Sequence, residues 1–196
     1  CDYFNESVAE SVLDKFGSID LIVSNNAYAH IEDIQGTTRA VKKALKKDGV
    51  FSFEVHYLGE VIENLQYDMI YHEHIYYYSL ISAIEHFKRY DMIVFDIKPI
   101  SIHGGSYRFY VCNEGARHSM SESPKVFALK QKEKELGYDH LSRYLSFSNQ
   151  IHSLKEELNS LLIGLKDKGK KIAGYGASGR ANTILQFCEL DAKKIE

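Results

Sequence analysis

The feature that most restricts what this chain can fold into is the alternation of apolar runs with a helical pattern near its start. Residues 19–24 form a short apolar run that ends in two asparagines, and residues 50–55 form a second run directly after an Asp-Gly pair. Residues 33–47, between them, have helical spacing and carry lysines at the C-terminal end, where the helix dipole is negative. This strand–helix–strand order predicts an α/β domain with a parallel sheet.

The same patterns extend this domain to about residue 112. Further helices are predicted at 6–16, 58–67 and 79–89, and further strands at 92–97 and 107–111.

The composition changes after residue 112, which predicts a domain boundary. Residues 113–168 are polar and helical without a strand pattern. A strand at 170–173, a turn at 174–179 and a helix at 180–190 then predict the start of a second α/β unit. Within the polar part, five apolar residues step by three and four and predict a helix face that packs on a core: Ile151, Leu154, Leu158, Leu161 and Leu165.

Charge and cysteine content exclude several classes of protein. With 24 basic and 27 acidic residues the net charge is −3, so there is no basic excess for nucleic acid. No apolar run approaches the roughly 20 residues of a membrane span. Cys1, Cys112 and Cys188 are too far apart for a Cys-x-x-Cys metal site and odd in number. A reducing, cytoplasmic location is therefore expected.

The densest group of reactive side chains lies at residues 71–79. His72, Glu73 and His74 can supply a general base and a carboxylate that orients it. In an extended segment the two histidines would share one face. The zinc-protease pattern does not fit because position 76 is tyrosine, and no third ligand completes a two-histidine metal site. The alternative is a polar loop with an ordinary, hydrogen-bonded histidine.

Two further segments have both a functional and a structural interpretation. His30 follows the end of the first strand, where open α/β sheets bind ligands, but it could equally cap the next helix. At 103–108, two glycines precede a hydroxyl and a guanidinium that could bind phosphate or carboxylate. Two glycines in a row are more often a hairpin turn.

Residues 174–179 read G-x-G-x-x-G between a predicted strand and a predicted helix. This is the context of a dinucleotide fingerprint, and a helix N-terminus there can bind an anion. The acidic residue expected roughly 20 positions later falls at or beyond the end of the chain. The glycines alone do not distinguish NAD from another phosphate ligand.

Four segments, in this order, resemble the S-adenosylmethionine-dependent sugar C-methyltransferases, which methylate C3 of 4-keto sugar nucleotides. The segments are residues 25–31, residues 71–74 with 77–79, residues 103–108, and residues 174–177 with Asn182 and Thr183. The Tyr-His-Glu-His segment is the most specific of them. Residues 178–181 depart from the family pattern, which reads more like Pro-Ala-Lys-Gly, although Arg180 keeps its basic charge.

The resemblance implies three parts. Residues 1–112 would be the C-terminal part of a Rossmann-type methyltransferase domain, 113–168 a helical connection, and 169–196 the truncated start of a second Rossmann-like domain. A four-cysteine zinc domain and the glycine-rich S-adenosylmethionine motif would precede Cys1. We therefore expect zinc only in that preceding domain, no metal site in this chain, and no activity of the chain alone.

The resemblance also implies the chemistry. The C4 ketone acidifies the C3 proton, His74 removes it, and the enolate attacks the methylsulfonium. Glu73 would orient His74, while Tyr71 and His30 would donate to the developing oxyanion or position the sugar. Asn25 and Asn26 would contact the cofactor. The residues implied in binding the nucleotide sugar are His72, His103, Gly104, Gly105, Ser106, Arg108, Gly174, Tyr175, Gly176, Ala177 and Arg180.

Three alternatives stay open at this point. One is an NAD-dependent oxidoreductase or epimerase that uses the glycine turn at 174–179. Another is a sugar-nucleotide-binding remnant without catalysis. The third keeps the family but changes the acceptor ketone. All three imply a small-molecule partner, and no pattern indicates an oligomeric state.

Overall fold

A computed structural model describes residues 2–120, 123–176 and 178–195. They group into two compact units. The sheet unit consists of residues 1–60 and 75–139, and the helical unit consists of residues 61–74 and 140–196. No helix in the described ranges is long and apolar enough to cross a membrane.

Eleven regular elements run along the described chain. The helices are α1 (Glu6–Phe16), α2 (Ile34–Ala44), α3 (Leu58–Glu63), α4 (Leu80–Lys88), α5 (Pro124–Glu135), α6 (Leu141–Asp167) and α7 (Gly179–Phe187). The strands are β1 (Ile19–Asn25), β2 (Leu45–His56), β3 (Met92–Ile100) and β4 (Ser106–Asn113). Short 3-10 turns lie at Tyr28–His30, Tyr67–Met69, Ile102–Gly104 and Arg117–Met120.

The sheet confirms the predicted α/β class but is only partly parallel. Its order is β1-β2-β4-β3; β1 and β2 are parallel, and β4 is antiparallel to both of its neighbours. The parallel pairing predicted from the strand–helix–strand order is confirmed for β1 and β2, while β4 adds two antiparallel pairings. A connection as short as the one from β3 to β4 can only return the chain antiparallel, since a parallel crossover needs a dozen or more residues.

Several predicted bounds differ from the structure: the helix predicted at 58–67 ends at Glu63, and the one predicted at 180–190 ends at Phe187. Two further differences have a physical reason in strand pairing. The helix predicted at 33–47 ends at Ala44, because Leu45 pairs with Ile19 and the following lysines lie in β2. Lys46 there binds Asp20 of β1 at 2.8 Å. Residues 170–173 form no strand, and no described segment of the helical unit is a strand with which they could pair. A single strand has no ladder partner and gains nothing from extension.

An aromatic cluster forms the centre of the sheet unit. Its members are at most 1% exposed: Tyr28, Phe51, Phe53, Phe87 and Phe109. The Phe53 ring lies 4.8 Å from both the Tyr28 and the Phe109 ring centroids. Such contacts contribute about 0.5–1.5 kcal/mol each beyond the burial of their area. They hold the loop after β1 against the sheet and α4.

A small polar network lies inside this aromatic cluster. The Thr38 hydroxyl donates to the Ile34 carbonyl at 2.6 Å and lies 2.8 Å from His86 Nε2. Tyr28 Oη is 2.6 Å from the same hydroxyl and 3.2 Å from His86 Nε2. Burial lowers the pKa of His86, and the nearby Arg89 charge lowers it further. The imidazole is therefore neutral in the folded chain near pH 7.

A buried carboxylate closes the other side of the sheet unit. Glu133 of α5 is 0% exposed, and it accepts hydrogen bonds from the Leu80 and Ile81 amides at 2.6 and 2.7 Å. It also accepts one from the Tyr57 hydroxyl at 2.8 Å. Burial raises the pKa of Glu133, and these three donors act in the opposite direction. The carboxylate thus caps the N-terminus of α4 and holds the end of β2.

The long helix α6 dominates the helical unit. Leu162 and Phe147 are its buried residues, whereas Leu161 is 59% exposed. The predicted apolar face is therefore offset by one position at that turn. Within the same unit, the Tyr67 and Phe187 rings are 5.2 Å apart, and Asn159 donates to the Cys188 carbonyl at 3.0 Å. These contacts place α7 beside α6.

Replacement of Glu133 by alanine should destabilise the chain strongly. Two helix N-terminal amides and the Tyr57 hydroxyl would lose their acceptor inside the core, and we expect a loss of about 3 kcal/mol in the free energy of unfolding. Urea unfolding followed by circular dichroism measures this loss. Glu135→Ala is the matched control on the exposed side of the same helix, and equal midpoints for the two variants would contradict the assignment.

Stability should fall as the pH drops below the ordinary histidine value. Because folding lowers the pKa of His86, the unfolded chain binds that proton more readily. The stabilisation that comes from neutral His86 is complete above its pKa of about 6.5 in the unfolded chain. It is lost as the pH falls toward the lower pKa that His86 has in the folded chain. Between about pH 7.5 and about pH 5.5, His86→Gln should therefore lose less unfolding free energy than the native chain. The exposed His152→Gln should behave as the native chain, and a loss in His86→Gln as large as the native one would refute the assignment.

Candidate functional site

The Tyr-His-Glu-His segment is a tight turn and not an extended strand. The His74 amide donates to the Tyr71 carbonyl at 3.1 Å, and the Tyr71 hydroxyl donates to the Glu73 carboxylate at 3.2 Å. The Tyr71 ring centroid also lies 4.8 Å from the His74 ring. The alternation of faces expected for an extended segment is thus replaced by a turn that gathers Tyr71, Glu73 and His74.

The ring of His74 has a defined orientation. Its Nδ1 lies 3.0 Å from the Met69 carbonyl oxygen. A carbonyl oxygen only accepts, so Nδ1 carries the hydrogen in this contact. In the neutral ring the basic lone pair therefore belongs to Nε2. This is the arrangement that a histidine needs to act as a general base through one defined nitrogen.

Tyr71 is held as a neutral donor. Partial burial raises its pKa, the hydrogen bond to Glu73 and the charge of that carboxylate raise it further, and Arg180 lowers it. The phenol therefore keeps its proton at neutral pH, where a hydroxyl can donate to an oxygen that gains negative charge.

The start of α7 lies in the same unit as this turn. Ser178 is the N-cap and accepts from the Ala181 amide at 3.3 Å. Arg180 Nη1 lies 3.5 Å from the Asp68 carboxylate and 2.7 Å from the Met69 sulfur. Arg180 thus binds the residue whose carbonyl orients His74. The turn itself is exposed at Gly174, Tyr175 and Gly176, and Ala177 lies outside the described residues.

A cleft of about 320 Å³ lies within the helical unit beside this turn. Tyr71 and His72 line one side of it, and α7 lines the other with amide and hydroxyl groups. Its lining residues are Ile70, Tyr71, His72, Asn182, Thr183, Gln186 and Phe187. The mixture suits a polar small molecule better than an apolar one.

A second group of predicted residues lies in the sheet unit, at the carboxyl ends of β1 and β2. Asn25 is opposite Glu54 in the parallel ladder, and the Asn26 amide donates to the Glu54 carbonyl at 2.8 Å. Arg108 of β4 binds the Glu54 carboxylate through Nε at 3.1 Å and Nη2 at 2.7 Å. These hydrogen bonds raise the pKa of Arg108. The structure thus brings Asn26 and Arg108 to one buried carboxylate.

His30 lies in the same unit, in the 3-10 turn Tyr28–His30. Tyr28 is fully buried whereas His30 is exposed, so the turn presents the imidazole to solvent. The carbonyl of Ala29 accepts from the Ile75 and Tyr76 amides at 3.0 and 3.2 Å. The loop that carries His30 is therefore fixed by backbone hydrogen bonds to the segment that precedes α4.

Residues 101–105 connect β3 to β4, and Ser106 is the first residue of β4. His103 and Gly104 have left-handed φ angles of 54° and 81°, as a tight reversal requires. At Gly105 a Cβ would lie 2.4 Å from the Glu60 side chain, so only glycine fits there. Ser106 is buried at 2% exposure. The structural interpretation as a hairpin turn therefore accounts for both glycines, and the binding role of His103 and Ser106 stays a prediction.

Sequence reasoning missed three residues of these groups: Glu54, Asp68 and Met69. Glu54 had a usable signal, because a carboxylate inside an otherwise apolar strand is seldom buried without a partner. Met69 had no such signal in the sequence, since it acts through its backbone carbonyl. Among the described residues, no group of three His, Cys, Asp or Glu side chains could hold a metal ion.

Two family models match successive parts of the chain. Residues 2–94 match the family model described as a methyltransferase domain, and residues 101–196 match the C-methyltransferase C-terminal domain. The solved "crystal structure of M1.HpyAVI-SAM complex" aligns with 59% of this chain and 55% of that chain at 11% identity, with a TM-score of 0.34. At that score the likeness carries no argument.

A curated relative covers nearly the whole chain. The C-methyltransferase NovU of Streptomyces niveus is 31% identical over 192 residues, which is 98% of this chain. The chain spans 45% of the length of that relative. With the two family models end to end along the sequence and this relative across it, the chain belongs to the C-methyltransferase family.

Proposed function

We propose that the chain carries the proton-abstracting part of an S-adenosylmethionine-dependent C-methyltransferase that acts on a 4-keto sugar nucleotide. The observation that carries this proposal is the contact between His74 Nδ1 and the Met69 carbonyl at 3.0 Å. It assigns the basic lone pair to Nε2. A base with a pKa near neutrality suits removal of a proton next to a ketone.

The first step is deprotonation at C3 of the sugar. His74 Nε2 takes the C3 proton, and the electrons of the C–H bond form the enolate with the C4 oxygen. The imidazole then carries the proton and a positive charge. Glu73, next in sequence and hydrogen-bonded to Tyr71, supplies a negative charge in the same turn that favours the protonated ring.

The Tyr71 hydroxyl is proposed as a donor to the C4 oxygen as it becomes negative. Its raised pKa keeps the proton on the phenol, so it donates without ionising. The hydroxyl has one proton, which it gives to Glu73 in this structure, so it would turn from Glu73 to the C4 oxygen when the sugar binds. Such a donor stabilises a developing oxyanion more than the ground-state ketone. His30, which is exposed on its own loop, stays a second proposed donor.

The residues at the carboxyl end of β1 fit the cofactor chemically. Asn25 and Asn26 are exposed amides that can both donate and accept hydrogen bonds. When bound, S-adenosylmethionine supplies an electrophilic methyl group on a positively charged sulfur. We propose that these two amides hydrogen-bond to the bound cofactor.

The anionic part of the acceptor has two proposed partners. Arg108 and Arg180 each offer a guanidinium, which matches phosphate geometry. The NAD-dependent alternative is less well supported, because residues 170–176 form no strand before the glycine turn. A dinucleotide fingerprint needs that strand to aim its helix.

Replacement of His74 by alanine in the complete enzyme should abolish proton abstraction. We expect methyl transfer to fall by about 10²–10⁴-fold, the usual share of a positioned base. Exchange of the C3 proton in D2O, with S-adenosylhomocysteine present, reports deprotonation separately from methyl transfer. His152→Ala is the exposed control. A His74→Ala enzyme that still exchanges this proton at the native rate would disprove the assignment of the base.

Replacement of Tyr71 by phenylalanine should lower kcat by about a hundredfold, since one donor to the oxyanion is lost. KM for the sugar nucleotide should change much less, because the ground-state ketone needs the donor less. Steady-state kinetics measure both. Tyr3→Phe, at a tyrosine that is 91% exposed, serves as control. A higher KM at constant kcat would instead make Tyr71 a binding residue.

A further inference from the structure

Glu54 touches a residue proposed to bind the cofactor and a residue proposed to bind the acceptor. Its Oε1 accepts from Asn26 Nδ2 at 3.5 Å, and its Oε2 accepts from Arg108 Nε and Nη2 at 3.1 and 2.7 Å. The side chain of Glu54 is 4% exposed, and that of Arg108 is 32% exposed. One buried carboxylate therefore contacts two side chains that both reach solvent.

The backbone holds the same three residues in register. Glu54 and Arg108 are direct partners in the antiparallel ladder of β2 and β4. The Asn26 amide donates to the Glu54 carbonyl at 2.8 Å, and Asn26 has a left-handed φ of 51°. The asparagine thus leaves β1 in a defined direction, and its side-chain amide binds one carboxylate oxygen while the guanidinium binds the other.

Stability alone does not account for a carboxylate here. Glu54 is 3% exposed and Ser52, on the same face of β2, is 5% exposed, so this face is shielded from water. An apolar side chain at position 54 would avoid the desolvation of a charge, and replacement of a buried ion pair by apolar residues is often neutral or stabilising. The charge is useful if the two side chains that it holds must keep one geometry.

We infer that Glu54 is a positioning residue, which holds the Asn26 amide toward the cofactor and the Arg108 guanidinium toward the diphosphate of the acceptor. The inference rests on the proposed function for the roles of these two residues. Two nitrogens of the guanidinium face Glu54, and the group also hydrogen-bonds to Tyr110. The ion pair fixes the guanidinium plane, while the side chain stays 32% exposed and can meet an anion. A lysine in place of Arg108 would lack this planar fixation.

The test compares Glu54→Gln and Glu54→Asp in the complete enzyme. Glutamine has nearly the same shape but no charge, and aspartate keeps the charge at a shorter reach. Calorimetric titration with S-adenosylhomocysteine measures the effect on the Asn26 side, and titration with inorganic pyrophosphate measures the effect on the Arg108 side. For Glu54→Gln we expect both Kd values to rise about tenfold, as for the loss of one charge-assisted hydrogen bond, with a smaller rise in Glu54→Asp.

The control is Glu6→Gln, which breaks an exposed ion pair with Arg39 at 2.6 Å and should leave both titrations unchanged. The ¹⁵N NMR signal of the Arg108 Nε–H should be protected from exchange in the native protein and lost in Glu54→Gln. A folded Glu54→Gln enzyme with native Kd values for both ligands would overturn the inference, and so would a change in only one of them.

Both readouts are independent of turnover. If the native enzyme transferred no methyl group, the proposed function would fail, while the titrations would still decide the role of Glu54. If Glu54→Gln did not fold, Glu54→Asp would decide alone. If Glu54→Asp kept native Kd values for both ligands although it had lost the Arg108 Nε–H signal, Glu54 would be a structural partner of Arg108 and not a positioning residue.

Discussion

The sheet unit depends on one buried carboxylate that joins segments far apart in the sequence. Glu133 receives the Tyr57 hydroxyl and the first amides of α4, and so holds the end of β2 beside the start of α4. The Leu58 amide adds a bond to the Tyr78 carbonyl at 2.9 Å. The stretch between these anchors contains the Tyr-His-Glu-His turn. Its two ends are fixed in the sheet unit by hydrogen bonds that water cannot easily replace.

Buried charge recurs in the sheet unit with the same physical logic. Glu133 has three donors and Glu54 has two guanidinium contacts, so each carboxylate regains in hydrogen bonds part of what it loses in hydration. Removal of a carboxylate or of its donors would leave several donors or a charge without a partner inside the core. The positions are therefore intolerant of truncation, and the geometry around each is rigid. Rigidity of this kind is what a site needs if it is to stabilise one transition state.

Local patterns predicted the elements of the sheet unit well, with errors where distant residues decide. The helix α1 and the strand β1 follow the predicted bounds because their own side chains set them. The predicted end of α2 was wrong because Leu45 pairs with Ile19 in the parallel ladder of β1 and β2. Of the candidate site, the turn at 71–74 was found from its residue types. The Met69 carbonyl was not, since a backbone acceptor leaves no mark in the sequence.

The sequence by itself determined the α/β class, the family and the residue types that can move a proton, because periodicity and reactive side chains are local properties. Only the tertiary structure decided which nitrogen of His74 is basic and which carboxylate holds Arg108 and Asn26. It also decided that β4 runs antiparallel between its neighbours. These are properties of atoms brought together from distant parts of the chain, and hydrogen-bond geometry exists only once they meet.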